Sequence, residues 1–257
     1  MRDPGLSEAI RVVGGVSELA RKIGISQPSV STWNRVPAER VLAVEAATGI
    51  SRMALRPDLY DEAKPDSATA VDAARAQEYA LLAVLLARAP DAEFLNRLAS
   101  LRGDASPLGV AHAALAQAAS QTNADRLQRE YFDLFIGLGR GELLPYGSYY
   151  LTGFLHERPL ERLRQDLKEL GIERAEGKVE PEDHAAILCE VMAGLADARL
   201  AAPAGSDRRI FERHLKPWIG RFFSDLERAE AADFYRTVGA LGRVFMEIEI
   251  EAFALPS

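Results

Sequence analysis

The densest polar chemistry in this 257-residue sequence is the run Glu180-Pro181-Glu182-Asp183-His184. Carboxylates crowded this closely beside an imidazole can pair with basic groups. A local reading accounts for them too: Pro181 suits the first position of a helix, where its missing N–H costs nothing, and the acidic side chains complement the positive end of the helix dipole. His184 then falls in register with Leu188, Val191 and Leu195 and faces the core side where the helix begins. An acidic helix start with an inward histidine and an apolar stripe suits a basic, partly apolar peptide.

Other constellations are poorer. His112, His156, His184 and His214 are isolated from one another, and Cys189 lies on a different helical face from His184, so neither zinc-ligand nor nucleophile–base spacing occurs. No catalysis, metal or cofactor is therefore expected. Gly137-Leu138-Gly139-Arg140-Gly141 has the glycine density of a phosphate loop. It follows a helical segment instead of a strand and lacks a Lys-Ser/Thr pair, so it reads as an interhelical turn.

Near the N-terminus, Leu19, Ala20, Ile23, Gly24, Ile25, Val30 and Trp33 fall at the offsets of two helices meeting through a tight turn. Ala20 permits close approach, Gly24 takes the left-handed conformation, and the apolar side chains fill the wedge between the helices. Gln27, Ser29, Ser31, Thr32, Asn34 and Arg35 are left outward, where amide and hydroxyl groups can bond base edges and Arg35 can reach phosphate. The alternative is a packing or dimerisation unit that reads no nucleic acid.

The elements that must carry these residues are helical throughout. No segment alternates as a strand would, so the fold class is all-α. Four short helices are expected through Gly49, the last running from Pro37. In the remainder, helices are expected near Val71–Ala89, Ala92–Leu101, Pro107–Ser120, Ala124–Leu138, Gly153–Leu170, Pro181–Leu200, Asp207–Glu230 and Ala232–Glu251. The stretch from Asp58 to about Ala70 is acidic, holds Pro65, and has no apolar period. The expected organisation is a small head over 1–57, a linker over 58–70 and a larger helical body over 71–257.

Charge divides the same way. Through Pro57 there are 8 Lys/Arg against 5 Asp/Glu, a net +3; the remainder has 23 against 33, a net −10, within a total of −7. A basic head on an acidic body suggests differently charged partners. Apolar residues at 48% and charged residues at 27% describe a globular chain. A single cysteine calls for no oxidising compartment. The longest apolar run, Tyr79–Ala87, is about half a membrane span, and no signal-peptide apolar region follows Met1, so a cytoplasmic protein is expected.

Two resemblances add to this. Gly14–Leu55 resembles the Cro/YdaS-type helix-turn-helix of phage and antitoxin regulators, which implies DNA binding; useful affinity from a +3 head implies two heads on two half-sites, hence a homodimer. From Ala73 to Glu251 the chain resembles the TorD/DmsD-type redox-enzyme maturation chaperones. The resemblance lies in Tyr131-Phe132-Asp133-Leu134-Phe135, in Leu144-Pro145-Tyr146-Gly147-Ser148-Tyr149-Tyr150-Leu151, in Glu180–His184, and in the stretch from Phe211 through Trp218 and Phe234-Tyr235 to Phe245. It implies an all-helical chaperone that binds the twin-arginine signal peptide of a molybdenum-cofactor oxidoreductase's catalytic subunit during cofactor insertion. Glu180, Asp183 and His184, with Tyr146, Ser148 and Tyr149 in the neighbouring loop, are the implied peptide-binding residues. Joined to the head, such a body leaves two readings open: client binding coupled to transcription, or two tethered but independent binding functions. The alternative is a dedicated transcriptional regulator whose body senses or dimerises.

Overall fold

The computed structural model describes residues 2–57, 67–173 and 179–255. These residues fold as helices joined by turns, with no β-strand among them, and one isolated antiparallel bridge joins Tyr146 to His184. The chain divides into two compact units, residues 1–68 and 69–257. The expected linker falls mostly on 58–66, outside the described residues, whereas 67–70 begin a long helix. Ser67-Ala68-Thr69-Ala70 contains neither Gly nor Pro, so nothing there halts helix propagation.

In the first unit, α1 (Pro4–Val13) opens on Asp3, whose side chain accepts the Gly5 N–H at 3.0 Å. The helices α2 (Val16–Lys22) and α3 (Gln27–Ser31) follow, then α4 (Val41–Thr48) after a single 3-10 turn at Ala38–Arg40, and α5 (Arg52–Leu55). Leu6, Leu19, Ala20, Val30, Val36, Val41 and Val44 are buried together, with Ile25 and Trp33 against them. The α2–α3 turn has the expected chemistry: Gly24 takes φ +69°, and the Ile25 N–H reaches Ala20 O at 3.0 Å. Helix α3 is shorter than the apolar spacing suggests, so Trp33 packs from beyond its end. The Thr32 hydroxyl bonds Ser29 O at 2.8 Å, a local alternative to continuing the helix.

In the second unit, α6 (Ser67–Ala87), α7 (Ala92–Ala99), α8 (Pro107–Ser120) and α9 (Ala124–Tyr131) follow in order, α9 running into a π-helical turn at Phe132–Ile136. Next come α10 (Gly147–Thr152), α11 (Arg158–Glu169) and α12 (Ala185–Ala196). A second π-turn, Phe211–Leu215, continues α13 (Ser206–Ile210), and α14 (Ile219–Arg228) and α15 (Phe234–Ala254) complete the unit. The core gathers Tyr79, Leu85, Leu188, Met192, Phe211, Trp218, Phe222, Phe223 and Tyr235. Helices α14 and α15 touch almost backbone to backbone. A Cβ on Gly242 would meet the Phe223 ring at 2.3 Å, and one on Gly239 would meet Glu227 N at 2.6 Å.

One ionic network lies inside this unit. Glu249 is fully buried, and its carboxylate accepts from Arg75 at 2.8 and 2.9 Å and from the Tyr79 hydroxyl at 2.9 Å. Burial works against the charged Arg75 guanidinium, but the carboxylates of Glu249, Asp72 and Asp207 outweigh it and raise its pKa.

Several helix limits differ from the sequence reading. The expected helix Pro181–Leu200 starts at Ala185 because Pro181 opens a turn instead, closed by the His184 N–H on Pro181 O at 3.1 Å. The expected Gly153–Leu170 helix starts at Arg158, after His156 in the left-handed region at φ +61°. The expected single helix Asp207–Glu230 is interrupted around Lys216-Pro217-Trp218, where proline cannot continue the hydrogen-bond ladder. Helix α10 lies outside the expected helices, between those near Ala124–Leu138 and Gly153–Leu170.

Candidate functional site

Two segments far apart in sequence cross to make the principal site of the second unit. Ala185 N donates to Pro145 O at 2.8 Å and Gly147 N donates to Asp183 O at 2.9 Å, which fixes Tyr146 beside His184. Their rings meet edge to face with centroids 5.0 Å apart. The Tyr146 hydroxyl donates to Glu180 Oε1 at 2.5 Å. Burial first, then this carboxylate, raises the Tyr146 pKa.

Each partner finishes a helix start. His184 is the N-cap of α12, its Nδ1 accepting the Ala186 N–H at 3.0 Å, so that nitrogen carries no proton. Burial lowers the His184 pKa against the opposing pull of Glu180 and Asp183. Asp183 serves α10 from outside it: Oδ2 accepts the Ser148 N–H at 2.7 Å while its backbone oxygen takes Gly147 N. Helix α10 lacks a side-chain cap of its own, and a carboxylate at its first turn supplies the missing acceptor. Asp183 Oδ1 and Ser148 Oγ are buried and find no hydrogen-bond partner among the described residues.

The six residues singled out in the sequence thus divide. Asp183, His184 and Ser148 are buried and committed to internal bonds; Glu180 is exposed, and Tyr146 and Tyr149 are half-buried. The expectation that His184 sits inside the helix on its apolar stripe is corrected to a cap position one residue before it, because Pro181 sits in the preceding turn and not at the helix start.

Tyr149 turns to an adjoining cleft of about 340 Å³ lined by Arg140, Leu144, Tyr150, Arg221 and Asp225 among others. The Arg140 guanidinium donates to the Tyr149 hydroxyl at 2.8 Å and stands 5.3 Å from the ring centroid. Arg221 stands 5.7 Å from the Tyr150 centroid, and the Tyr150 hydroxyl donates to Asp225 at 3.1 Å. Trp218 backs the cleft: its ring lies 5.6 Å from Tyr150, and its indole N–H bonds His214 O at 2.7 Å. His214 in turn meets Asp166 at 2.6 Å, and Asp166 also takes Arg209 and Arg213. The approach of Trp218 makes Gly147 obligatory, since a Cβ there would stand 2.9 Å from the indole nitrogen.

The flanks are apolar. Leu143 N and Glu142 N bond Leu134 O and Asp133 O at 2.8 and 3.1 Å, which lays the Phe132–Ile136 turn beside the cleft-lining segment. Phe132, Ile136 and Leu138 on that side, and Leu151, Phe154 and Leu155 on and after α10, are exposed. The sequence reading missed Arg140, Arg221 and Asp225 as parts of this cleft. A glycine-rich turn carries the first, and nothing in the periodicity of α14 marks the other two.

In the first unit, Gln27, Ser29, Ser31, Thr32, Asn34 and Arg35 are all exposed, on α3 and the turn after it. Their mutual bonds are surface ones: Gln27 Nε2 donates to Ser31 Oγ at 2.8 Å, and Ser26 and Ser29 hydroxyls meet at 2.7 Å. Arg2 reaches Ser31 O at 3.4 Å and adds positive charge to that face. Arg11 and Arg21 are paired with Glu8 and Glu18.

Among the described residues no His, Cys, Asp and Glu side chains gather in threes as metal ligands would, and no helix is long and apolar enough to cross a membrane. Burial pushes the Cys189 thiol up to about 12, as for a core residue.

Residues 102–224 match the family model described as nitrate reductase delta subunit, and residues 6–64 match the one described as bacterial toxin YdaS. The chaperone protein TorD of Vibrio cholerae serotype O1 is 28% identical over 130 residues, 47% of this chain and 59% of the relative. Over 58 residues the chain is 45% identical to the "Putative transcriptional regulator YdaS" of Escherichia coli K12, covering 20% of this chain and 59% of that one. The chain thus spans about 59% of the length of each of these curated relatives. A "Putative Redox Enzyme Maturation Protein" of Archaeoglobus fulgidus, known from a crystal structure, superposes with a TM-score of 0.47 at 22% identity, over 67% of this chain and 93% of that one.

Proposed function

We propose, from a chain that joins a TorD-type body to a YdaS-type helix-turn-helix head, that it is a cytoplasmic binding protein with two kinds of partner. The body takes the twin-arginine signal peptide of a molybdenum-cofactor oxidoreductase and holds that subunit while its cofactor is inserted. The head binds DNA as a homodimer on two half-sites. Neither role is catalytic.

The observation that carries the first role is the composition of the cleft beside the Tyr146–His184 crossing. Asp225, Glu142, Tyr149, Tyr150 and Leu151 line it together with Arg140 and Arg221, Glu180 lies at the crossing bonded to Tyr146, and Phe132, Ile136 and Phe154 are exposed on neighbouring segments. A twin-arginine peptide is a cationic pair followed by an apolar stretch, and such a surface offers charge and apolar burial side by side. In this reading Glu180, Tyr146 and Tyr149 touch the peptide, while Asp183, His184 and Ser148 hold the crossing in shape. Exposure of Gln27, Ser29, Ser31, Thr32, Asn34 and Arg35 on one face supports the second role.

Titration calorimetry of the whole chain with a twin-arginine signal peptide tests the body. Saturable binding that weakens when both arginines become lysine, and as salt rises, is the expected result. No heat above that of a scrambled peptide would remove this role. Repeating the titration with saturating cognate DNA reads coupling between the two partners, which must be equal from either side.

A further inference from the structure

The cleft beside the crossing already holds two guanidinium groups, and both belong to the chain itself. Arg140 stands over Tyr149 with its centroid distance at 5.3 Å and a hydrogen bond to the phenol, and Arg221 stands over Tyr150 at 5.7 Å. The two rings are 6.0 Å apart between centroids and nearly perpendicular. Asp225 completes the second seat, accepting from the Tyr150 hydroxyl at 3.1 Å with Arg221 at 4.0 Å. An aromatic face backed by a phenol oxygen or a carboxylate is what a planar, weakly hydrated guanidinium prefers, and an ammonium uses it less well.

The occupants are poorly anchored. Arg140 and Arg221 are both exposed, and Arg140 projects from the turn between Gly139 and Gly141, with Gly139 in the left-handed region at φ +91°. The second ring is held from behind: Tyr150 packs on Trp218 and Phe222, whose side chains are buried. Adjacent residues have Cα atoms about 3.8 Å apart, and the long, flexible arginine side chains of such a pair can turn to the same side and reach across the 6.0 Å between ring centres.

We infer that Tyr149 and Tyr150 with Asp225 are two guanidinium seats for a consecutive arginine pair in a client peptide, and that Arg140 and Arg221 fill them as internal competitors until the client displaces them. This rests on the twin-arginine reading above and adds to it the place of each arginine and a self-occupied resting state. A pseudo-ligand in the site lowers apparent affinity in proportion to its occupancy, so it also discriminates against peptides with one arginine.

Two probes separate the inference from the reading beneath it. With the full chain carrying ring-labelled tyrosine, arginyl-arginine amide should shift the Tyr149 and Tyr150 resonances, and lysyl-lysine amide at equal concentration should not. Arg140→Ala should tighten both this dipeptide and a twin-arginine signal peptide by about two- to fivefold, the scale of one exposed cation–aromatic contact. Tyr149→Leu and Asp225→Asn should each weaken both. Signal-peptide binding that Arg140→Ala, Tyr149→Leu and Asp225→Asn all leave unchanged would overturn the seats while keeping the peptide role. Dipeptide binding at the two rings without any signal-peptide binding would keep the seats and overturn the role. Silent tyrosine resonances with the dipeptide would overturn the seats outright.

Discussion

Tyr146 and His184 meet edge to face with ring centroids 5.0 Å apart, at the point where the chain before α10 crosses the chain before α12. The pairing joins a phenol tied to Glu180 with an imidazole whose Nδ1 must stay unprotonated to cap α12. A titration is therefore built into the crossing.

Burial lowers the folded-state pKa of His184 from its ordinary value of 6.5, and His214 is shifted the same way, burial again being the larger cause. The unfolded chain then takes up these protons first, so stability is fully present above about pH 6.5 and is lost as pH falls toward the folded-state values. His112, raised by its hydrogen bond to Glu78, acts with the opposite sign. Thermal midpoints recorded between about pH 7.5 and 5 should fall with acid. His184→Asn keeps an acceptor for the Ala186 N–H without titrating, so its midpoint should fall less steeply. Equal slopes would assign the acid sensitivity elsewhere.

Asp183 closes the first turn of α10, so its loss should be felt in stability as well as in binding. Asp183→Ala strips the acceptor from Ser148 N in a buried place and should cost about 1–3 kcal/mol in urea unfolding. Asp183→Asn retains an oxygen for that bond and should cost less. Glu180 is exposed, and Glu180→Gln should change stability by no more than about 0.5 kcal/mol while weakening twin-arginine peptide binding. Stability lost equally in all three variants would contradict this division.

Those contrasts mark what the sequence made legible. The all-helical class, the α2–α3 turn at Gly24 and the full span Pro107–Ser120 follow from apolar period and from local punctuation by Gly, Ser and Pro. The chemically dense segments Glu180–His184 and Pro145–Tyr150 do come together, yet nothing local told which of their side chains would be buried. Pro181 suited a helix start and a turn equally, and the long-range bonds from Pro145 and Gly147 to Ala185 and Asp183 decided for the turn. Buried residues recur every three to four positions through the π-turn Phe211–Leu215 and on past Pro217, so the apolar pattern does not mark the break there. Pairs such as His214 with Asp166 and Arg75 with Glu249 join distant helices and leave no local pattern at all.

Arg75 and Glu249 allow a direct test of buried charge. With Arg75 gone, the Glu249 carboxylate remains fully buried and keeps the Tyr79 hydroxyl as a donor. Arg75→Met should destabilise the second unit by about 3–5 kcal/mol. The double variant Arg75→Met with Glu249→Met should recover much of that loss, because the cost lies in the stranded charge more than in the missing pair. A double variant as unstable as the single one would show that packing volume, not charge, sets the loss.

The exposed face of α3 and its following turn should read bases and phosphates through different residues. Asn34 and Gln27 present amides, which can pair bidentately with an adenine edge, whereas Arg35 supplies charge. Against a sequence selected from a random pool by the whole chain, Gln27→Ala and Asn34→Ala should each cost about 1–3 kcal/mol, with little loss on unselected DNA. Arg35→Ala should weaken both DNAs alike and reduce the salt slope by about one. Selection that enriches no sequence, or amide variants that lose equally on both DNAs, would leave this face a packing or dimerisation surface and not a reader of bases.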